Sequence, residues 1–223
     1  MVTNVNEKMS RFFSKVYLWM FIGLLISGGV AYFTSISKPM LKIVYGMYPV
    51  FIIAELVVVI AFTALRRKVS PEVAKILFVV YAALSGLTLS SIFLVYKIGS
   101  IGMAFLSSAI MFGLLAVYGY ITKTDLSSFG KMLLFGLIAV VIMSIINIFT
   151  HNGTFGIVKS IISILIFLGL TAYDMQKLKR VYSYYENDEK ELSKASIYGA
   201  LDLYLDFINI FLNLLRMFGN KKK

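Results

Sequence analysis

Between Ile197 and Phe218 the chain carries a hydrophobic segment long enough to cross a bilayer, yet the segment holds Asp202, Asp206, Asn209, Asn213 and Arg216. Their spacing is i, i+4, i+7, i+11, i+14. At about 100° per residue, all five fall within an arc of roughly 80° on one helix face. The rest of the circumference is Leu, Ile, Phe and Tyr. A charged side chain at mid-membrane costs at least ~2.5–3.5 kcal/mol on insertion scales. Such a stripe cannot face lipid. It must face protein, water or an ion, and the other segments read as the wall around it.

That wall dominates the composition. Of 223 residues, 59% are hydrophobic and 15% charged, with a mean hydropathy of +0.85. Soluble domains have roughly 45–50% apolar and about 25% charged residues. The excess marks an integral membrane protein and leaves no room for a large soluble domain. The chain has no Cys, which excludes disulfides and thiolate metal sites, and a single His, His151, which excludes His-rich ones. The net charge of +11 does not imply nucleic acid, because the Lys and Arg residues flank apolar spans.

Seven apolar stretches follow one another: Val16–Ile36, Tyr48–Leu65, Val73–Tyr96, Ile101–Ile121, Lys131–Phe149, Phe155–Tyr173 and Ile197–Phe218. Each is near the ~20 residues that a spanning helix requires. The expected fold is all-α, with seven transmembrane helices in a single multi-pass domain over residues 1–223. Residues 1–15 form a polar tail, 184–194 a charged linker and 219–223 a basic tail. Lys38, Pro39 and Lys42 read as a short basic loop. Ser70-Pro71-Glu72 reads as a helix start, with Ser at the cap and Pro in the first turn. The third span is rich in Ala, Ser and Gly, as a helix packed closely on neighbours should be. Helical pattern continues past Asp174 through Arg180.

Alternating spans divide the basic residues between two sides. Lys8, Arg11, Lys15, Arg66, Arg67, Lys68, Lys75, Lys123, Lys131, Lys177, Lys179, Arg180, Lys190 and Lys194 make fourteen on one. Lys38, Lys42, Lys97, Lys159, Arg216 and Lys221 to Lys223 make eight on the other. The larger set marks the cytoplasmic side and places the N-terminus there. The Lys221–Lys223 tail opposes this if the last helix crosses fully. A re-entrant last helix would remove the conflict.

Chemistry is expected at the intramembrane acids. Asp174 ends the sixth span, and Asp206 lies inside the seventh. On antiparallel neighbours they can meet at similar depth. Two carboxylates in a low-dielectric site cannot both ionise cheaply, so they share a proton. Ionised, they attract a hard cation such as calcium. The plainer alternative for Asp174 is an ion pair with Lys177, one turn on. Glu55 is a lone acid in the second span, either functional or hydrogen-bonded to a Ser or Tyr. Asp202 is a third candidate carboxylate, or a solvated group near the membrane surface. Arg66 and Arg67 lie on the same side as Asp174 and can latch an acid or simply set topology. Asn147, Asn209 and Asn213 read as hydrogen-bonding links between helices, and Arg216 as an interfacial anchor. Tyr173-Asp174 matches half of an intramembrane aspartyl protease signature. The other half is missing, because Leu-Tyr-Leu precedes Asp206, and no enzyme activity is expected.

In order along the chain, SGLTLSSIFLVY, YGYITKTDLSSFG, NIF, LTAYDMQKLK and GALDLYLDFINIFLNLLRMFGN resemble the Bax inhibitor-1 family, prokaryotic type. The resemblance spans Ala74 to Asn220. It implies seven helices with the last enclosed by the other six, and a pH-sensitive calcium leak across the membrane. It carries the family's aspartate pair onto Asp174 and Asp206, and a latching arginine onto Arg66 or Arg67. Glu55 falls where family members often have an acid, whereas Asp202 departs from the pattern. No cofactor is expected, with calcium as the permeant or bound ion and the lipid bilayer as partner. For bacterial members the resemblance also implies association with a membrane-bound quality-control protease. The second functional expectation follows: a regulatory interaction protein that modulates such a protease or a stress or cell-death pathway. The bacterial plasma (inner) membrane is the expected location.

Overall fold

A computed structural model describes residues 2–66, 68–150 and 153–222, without the side chains of residues 2–6, 145 and 147–150. Among the described residues eight helices follow in order: α1 (Val2–Ile36), α2 (Lys38–Gly46), α3 (Tyr48–Ala64), α4 (Pro71–Val95), α5 (Ile98–Ile121), α6 (Ser127–Thr150), α7 (Gly153–Tyr185) and α8 (Glu189–Phe218). Six of them, α1 and α4 to α8, are each long and apolar enough to cross a membrane. A seventh span is complete only if α2 and α3 count as one, since they pass the same test together but bend by 74° between them, as a broken span or a re-entrant loop does. The all-α membrane fold expected from the sequence is thus the fold observed.

Four boundaries differ from the sequence reading. The polar tail expected at residues 1–15 is, from Val2 on, the first part of helix α1, continuous with the span that follows. The loop expected at Lys38–Lys42 is helix α2, which carries Pro39 in its first turn, where a missing N–H costs nothing. The charged linker is mostly helix: α7 runs on to Tyr185 and α8 already starts at Glu189. Asp188 Oδ1 accepts the Glu191 N–H at 2.9 Å, and Glu189 and Glu191 lie in the first turn, where acids suit the helix dipole. The last helix is one unbroken run of 30 residues, not a re-entrant hairpin. At Ser70 the expected start is observed, with the hydroxyl accepting the Val73 N–H at 3.4 Å.

The chain forms two compact units. The first comprises Met1–Tyr96, Val181–Tyr204 and Lys222–Lys223. There α1 packs on α4, and Gly86 sets their approach: a Cβ on it would come within 2.7 Å of both the Ser27 carbonyl oxygen and Val30 Cβ. The N-terminal half of α8 joins through rings, with Tyr204 edge-on to Phe78 at 6.1 Å and to Tyr81 at 6.0 Å.

The second unit comprises Lys97–Arg180 and Leu205–Lys221. Its α5 and α8 run antiparallel. The Lys97 N–H donates to the Asn220 carbonyl at 3.0 Å at one end, and Phe207 packs on Phe112 and Phe105 further along. At the other end the α5–α6 loop is clasped to α7. Gln176 accepts from the Leu126 N–H (2.9 Å) and donates to the Thr124 carbonyl (2.7 Å), while Lys179 donates to the Tyr120 carbonyl (2.8 Å).

Burial sorts the helices. In its apolar stretch α8 is 78% buried, against 50% in α7 and 17% in α6. The helix with the polar stripe is the one the fold hides most thoroughly. Among the exposed positions of α5 and α6 are Leu106, Ile110, Leu114, Phe135 and Ile138, a surface suited to lipid.

Candidate functional site

The two aspartates singled out by their spacing are both buried within spans. Asp174 on α7 is 9% exposed and Asp206 on α8 is 4% exposed. They belong to the same compact unit, and both helices pack on α5. Phe207, the residue after Asp206, stacks edge-on to Phe112 at 5.8 Å. Two residues before Asp174, the backbone of Ala172 lies so close to Gly119 that a Cβ there would collide with it. The plainer alternative for Asp174, an ion pair one turn on, is present, since Lys177 Nζ donates to its Oδ1 at 3.0 Å. A buried carboxylate held by an ammonium one turn away stays inside the membrane span without facing lipid.

The other candidates belong to the first unit. Glu55 on α3 is met by α4. Tyr81 Oη donates to Oε1 at 3.3 Å, and Thr88 Oγ1 lies 3.0 Å from Oε2 and 2.9 Å from the Ser85 carbonyl oxygen. Hydrogen bonding to a Ser or Tyr is one of the two readings the sequence leaves open for Glu55. Tyr81, Ser85 and Thr88 were missed, although their i, i+4, i+7 spacing places them on one face of α4. Arg66, just past α3, sits 5.1 Å from the ring centre of Tyr198 on α8. Tyr198 in turn donates its hydroxyl to the Phe62 carbonyl at 3.0 Å. Arg66 therefore holds an aromatic face as a cation–π partner. Arg67 lies outside the described residues, as does His151. Asp202 is half-buried on α8 and is assigned to the first unit, whereas Asp206 is assigned to the second. Among the described residues no three His, Asp or Glu side chains group as a metal site.

The asparagines of the stripe correct the sequence reading. Asn209 Nδ2 donates to the Leu205 carbonyl and Asn213 Nδ2 to the Asn209 carbonyl, each at 2.8 Å. Among the described residues these amides bond to their own helix one turn back rather than linking α8 to a neighbour. The local carbonyl is always within reach, so it captures the amide donor first. Arg216 is exposed and donates to Asn213 Oδ1 at 3.2 Å, which fits its reading as an anchor. The side chain of Asn147 lies outside the described residues.

Outside the spans, Asp125 receives Arg180 at 3.2 Å and the Ser127 N–H and hydroxyl at 3.0 and 2.7 Å. Arg180 also bonds the Ser127 hydroxyl. The Ser127 hydrogen bonds, with a smaller contribution from the Arg180 charge, hold the Asp125 carboxyl below the usual carboxylate range.

Comparison with known proteins places this arrangement. The family model described as Inhibitor of apoptosis-promoting Bax1 matches residues 9–223, which include all of the acids above. The chain belongs to the Bax inhibitor-1 family. One curated relative, Inner membrane protein YbhL of Escherichia coli K12, is 44% identical over 218 residues, covering 96% of this chain and 93% of the relative. An uncharacterized membrane protein of Streptococcus pyogenes serotype M3 is 38% identical over 228 residues, covering 97% and 96%. A Borreliella burgdorferi protein is 38% identical over 216 residues, covering 96% and 93%. The resemblance drawn from the sequence motifs is therefore a family membership across nearly the whole length of the chain.

Proposed function

We propose that this Bax inhibitor-1 family protein is a pH-sensitive leak path for calcium in the bacterial inner membrane, with its N-terminus in the cytoplasm. The gating elements are Asp174 and Asp206, sharing one proton as a pair. The observation that carries the reading is the burial of two carboxylates, 9% and 4% exposed, within membrane spans of one compact unit. Intramembrane acids mark ion paths and proton relays more often than structural filler. Family membership supports the same reading, and the inner-membrane location follows the name of the Escherichia coli relative.

In this reading a proton on the pair and a cation beside it are alternatives, so the path responds to pH. Lys177 competes with both, because it already supplies a positive charge at Asp174. Asp174→Asn and Asp206→Asn each remove one titrating group while keeping its size. In liposomes holding the purified full chain, each variant is expected to lose most of the pH dependence of calcium flux. Unchanged pH dependence in both variants would sink the pair mechanism. Flux in which calcium shows no advantage over sodium and potassium would leave the pair as a proton sensor and discard the calcium assignment.

A further inference from the structure

The second unit holds a groove of about 820 Å³ that takes no part in the carboxylate chemistry. Lys97 stands at its mouth. Met103, Ser107 and Met111 of α5 form one wall, and Leu214 and Phe218 of α8 the other. Along α8, Asp206 lies eight residues before Leu214, about 12 Å at helical rise. From Lys97 to Met111 the groove follows α5 for about 21 Å at 1.5 Å per residue. One leaflet of the hydrocarbon core is about 15 Å deep. The slot therefore reaches from the headgroup region to about the depth of the midplane. It opens sideways, because Met103 is 67% and Phe218 71% exposed.

Charge is distributed unevenly in this unit. At the end where α5 starts and α8 finishes, residues 97–100, 144–159 and 213–221 carry Lys97, Lys159, Arg216 and Lys221, with no Asp or Glu. The opposite end carries both signs, with Asp125 and Asp174 each paired to a cation. Among the described residues no carboxylate pairs with Lys97, and its side chain is exposed. The mouth is nevertheless ordered. The Lys97 N–H donates to the Asn220 carbonyl, and the Asn220 N–H donates to Ser100 Oγ, both at 3.0 Å.

An ammonium above a narrow apolar slot one leaflet deep matches an amphiphile with an anionic head and a long chain. A free anion would leave the slot unused, and an uncharged hydrocarbon would leave Lys97 unused. We infer that this groove is a binding site for one anionic phospholipid, with the phosphate at Lys97 and an acyl chain along Met103 to Met111. The site stands apart from the proposed calcium path.

The test is native mass spectrometry of the purified full chain titrated with dioleoylphosphatidylglycerol or dioleoylphosphatidylcholine. One basic residue near a membrane surface favours an anionic lipid by about five-fold. The unaltered protein is expected to retain one phosphatidylglycerol with at least about that preference. Lys97→Gln should bring the two lipids close to parity, and Ser107→Phe should lower retention of both by filling the slot. Lys42→Gln, which removes a lysine from α2 in the other unit, should leave the preference unchanged. Equal retention of the two lipids by the unaltered protein would overturn the site. So would an unchanged preference in Lys97→Gln, an exposed position where folding is not at stake. Displacement of phosphatidylglycerol by excess glycerol phosphate would also overturn it, because the anion alone would then suffice.

Discussion

Glu55 shows how a single carboxylate is accommodated in a span. It sits on a helix with no other polar group in its middle, and α4 brings it Tyr81 and Thr88. Hydrogen bonds between membrane helices contribute on average about 0.6 kcal/mol and at most about 2. Thr88→Val keeps the shape and removes the hydroxyl, so it should destabilise the protein by about 0.6–2 kcal/mol. Thermal unfolding in detergent would measure this, and a stability equal to that of the unaltered chain would show that Tyr81 alone holds the acid. The acids themselves were legible in the sequence, because a charge inside an apolar run stands out whatever surrounds it. Their partners were less so. Lys177 was visible as a neighbour of Asp174 one turn away. Thr88 lies 33 residues from Glu55, and no local pattern pairs them. Asn209 and Asn213 were misread because spacing gives the face of a helix but not where an amide turns on that face.

At the scale of elements, close approach decides what can change. Gly119 faces the backbone of Ala172, whereas a methyl group added at Gly113 on the same helix would meet nothing within 4 Å. Gly119→Ala should force α5 and α7 apart and cost about 1–3 kcal/mol. Gly113→Ala should be neutral or stabilise by up to about 1 kcal/mol through helix propensity. Unfolding midpoints of the two variants side by side would check both signs. The clasp at the α5–α6 loop carries a pH prediction. Asp125 has a lowered folded-state pKa, so its stabilising contribution is complete above the ordinary aspartate value of about 4. It is lost only as pH falls through the lowered value. Hydrogen exchange of residues 122–127, corrected for its intrinsic pH dependence, should stay flat from pH 8 to 5 and rise below about 4. A rise near neutral pH would mean that another group controls the loop. The spans were legible because lipid demands about 20 apolar residues. The start of α8 was not, because Glu, Lys and Asp between spans suggest a linker. The signal was nonetheless present: Asp188 followed three residues later by Glu191 is a capping-box pattern.

The whole molecule repeats on a larger scale what α8 shows locally. Polar groups are gathered where protein covers them, and apolar side chains are left for lipid. That much follows from composition and periodicity. The division into two compact units does not, because it depends on which spans pack together across long separations in sequence. That α7 and α8 each contribute residues to both units could not be anticipated from their patterns alone. The tail after α8 adds a last feature. Asn220 bonds to the start of α5, while the Lys222 N–H and Nζ donate to the Val95 and Phe93 carbonyls at 2.9 and 2.8 Å. A reporter protein fused at this end, as used to map membrane sidedness, would pull on these bonds and could change what it is meant to measure. The exposed turn at Lys123 and Thr124 is the better place to graft a tag for that purpose, provided the carbonyl that Gln176 holds is left in place.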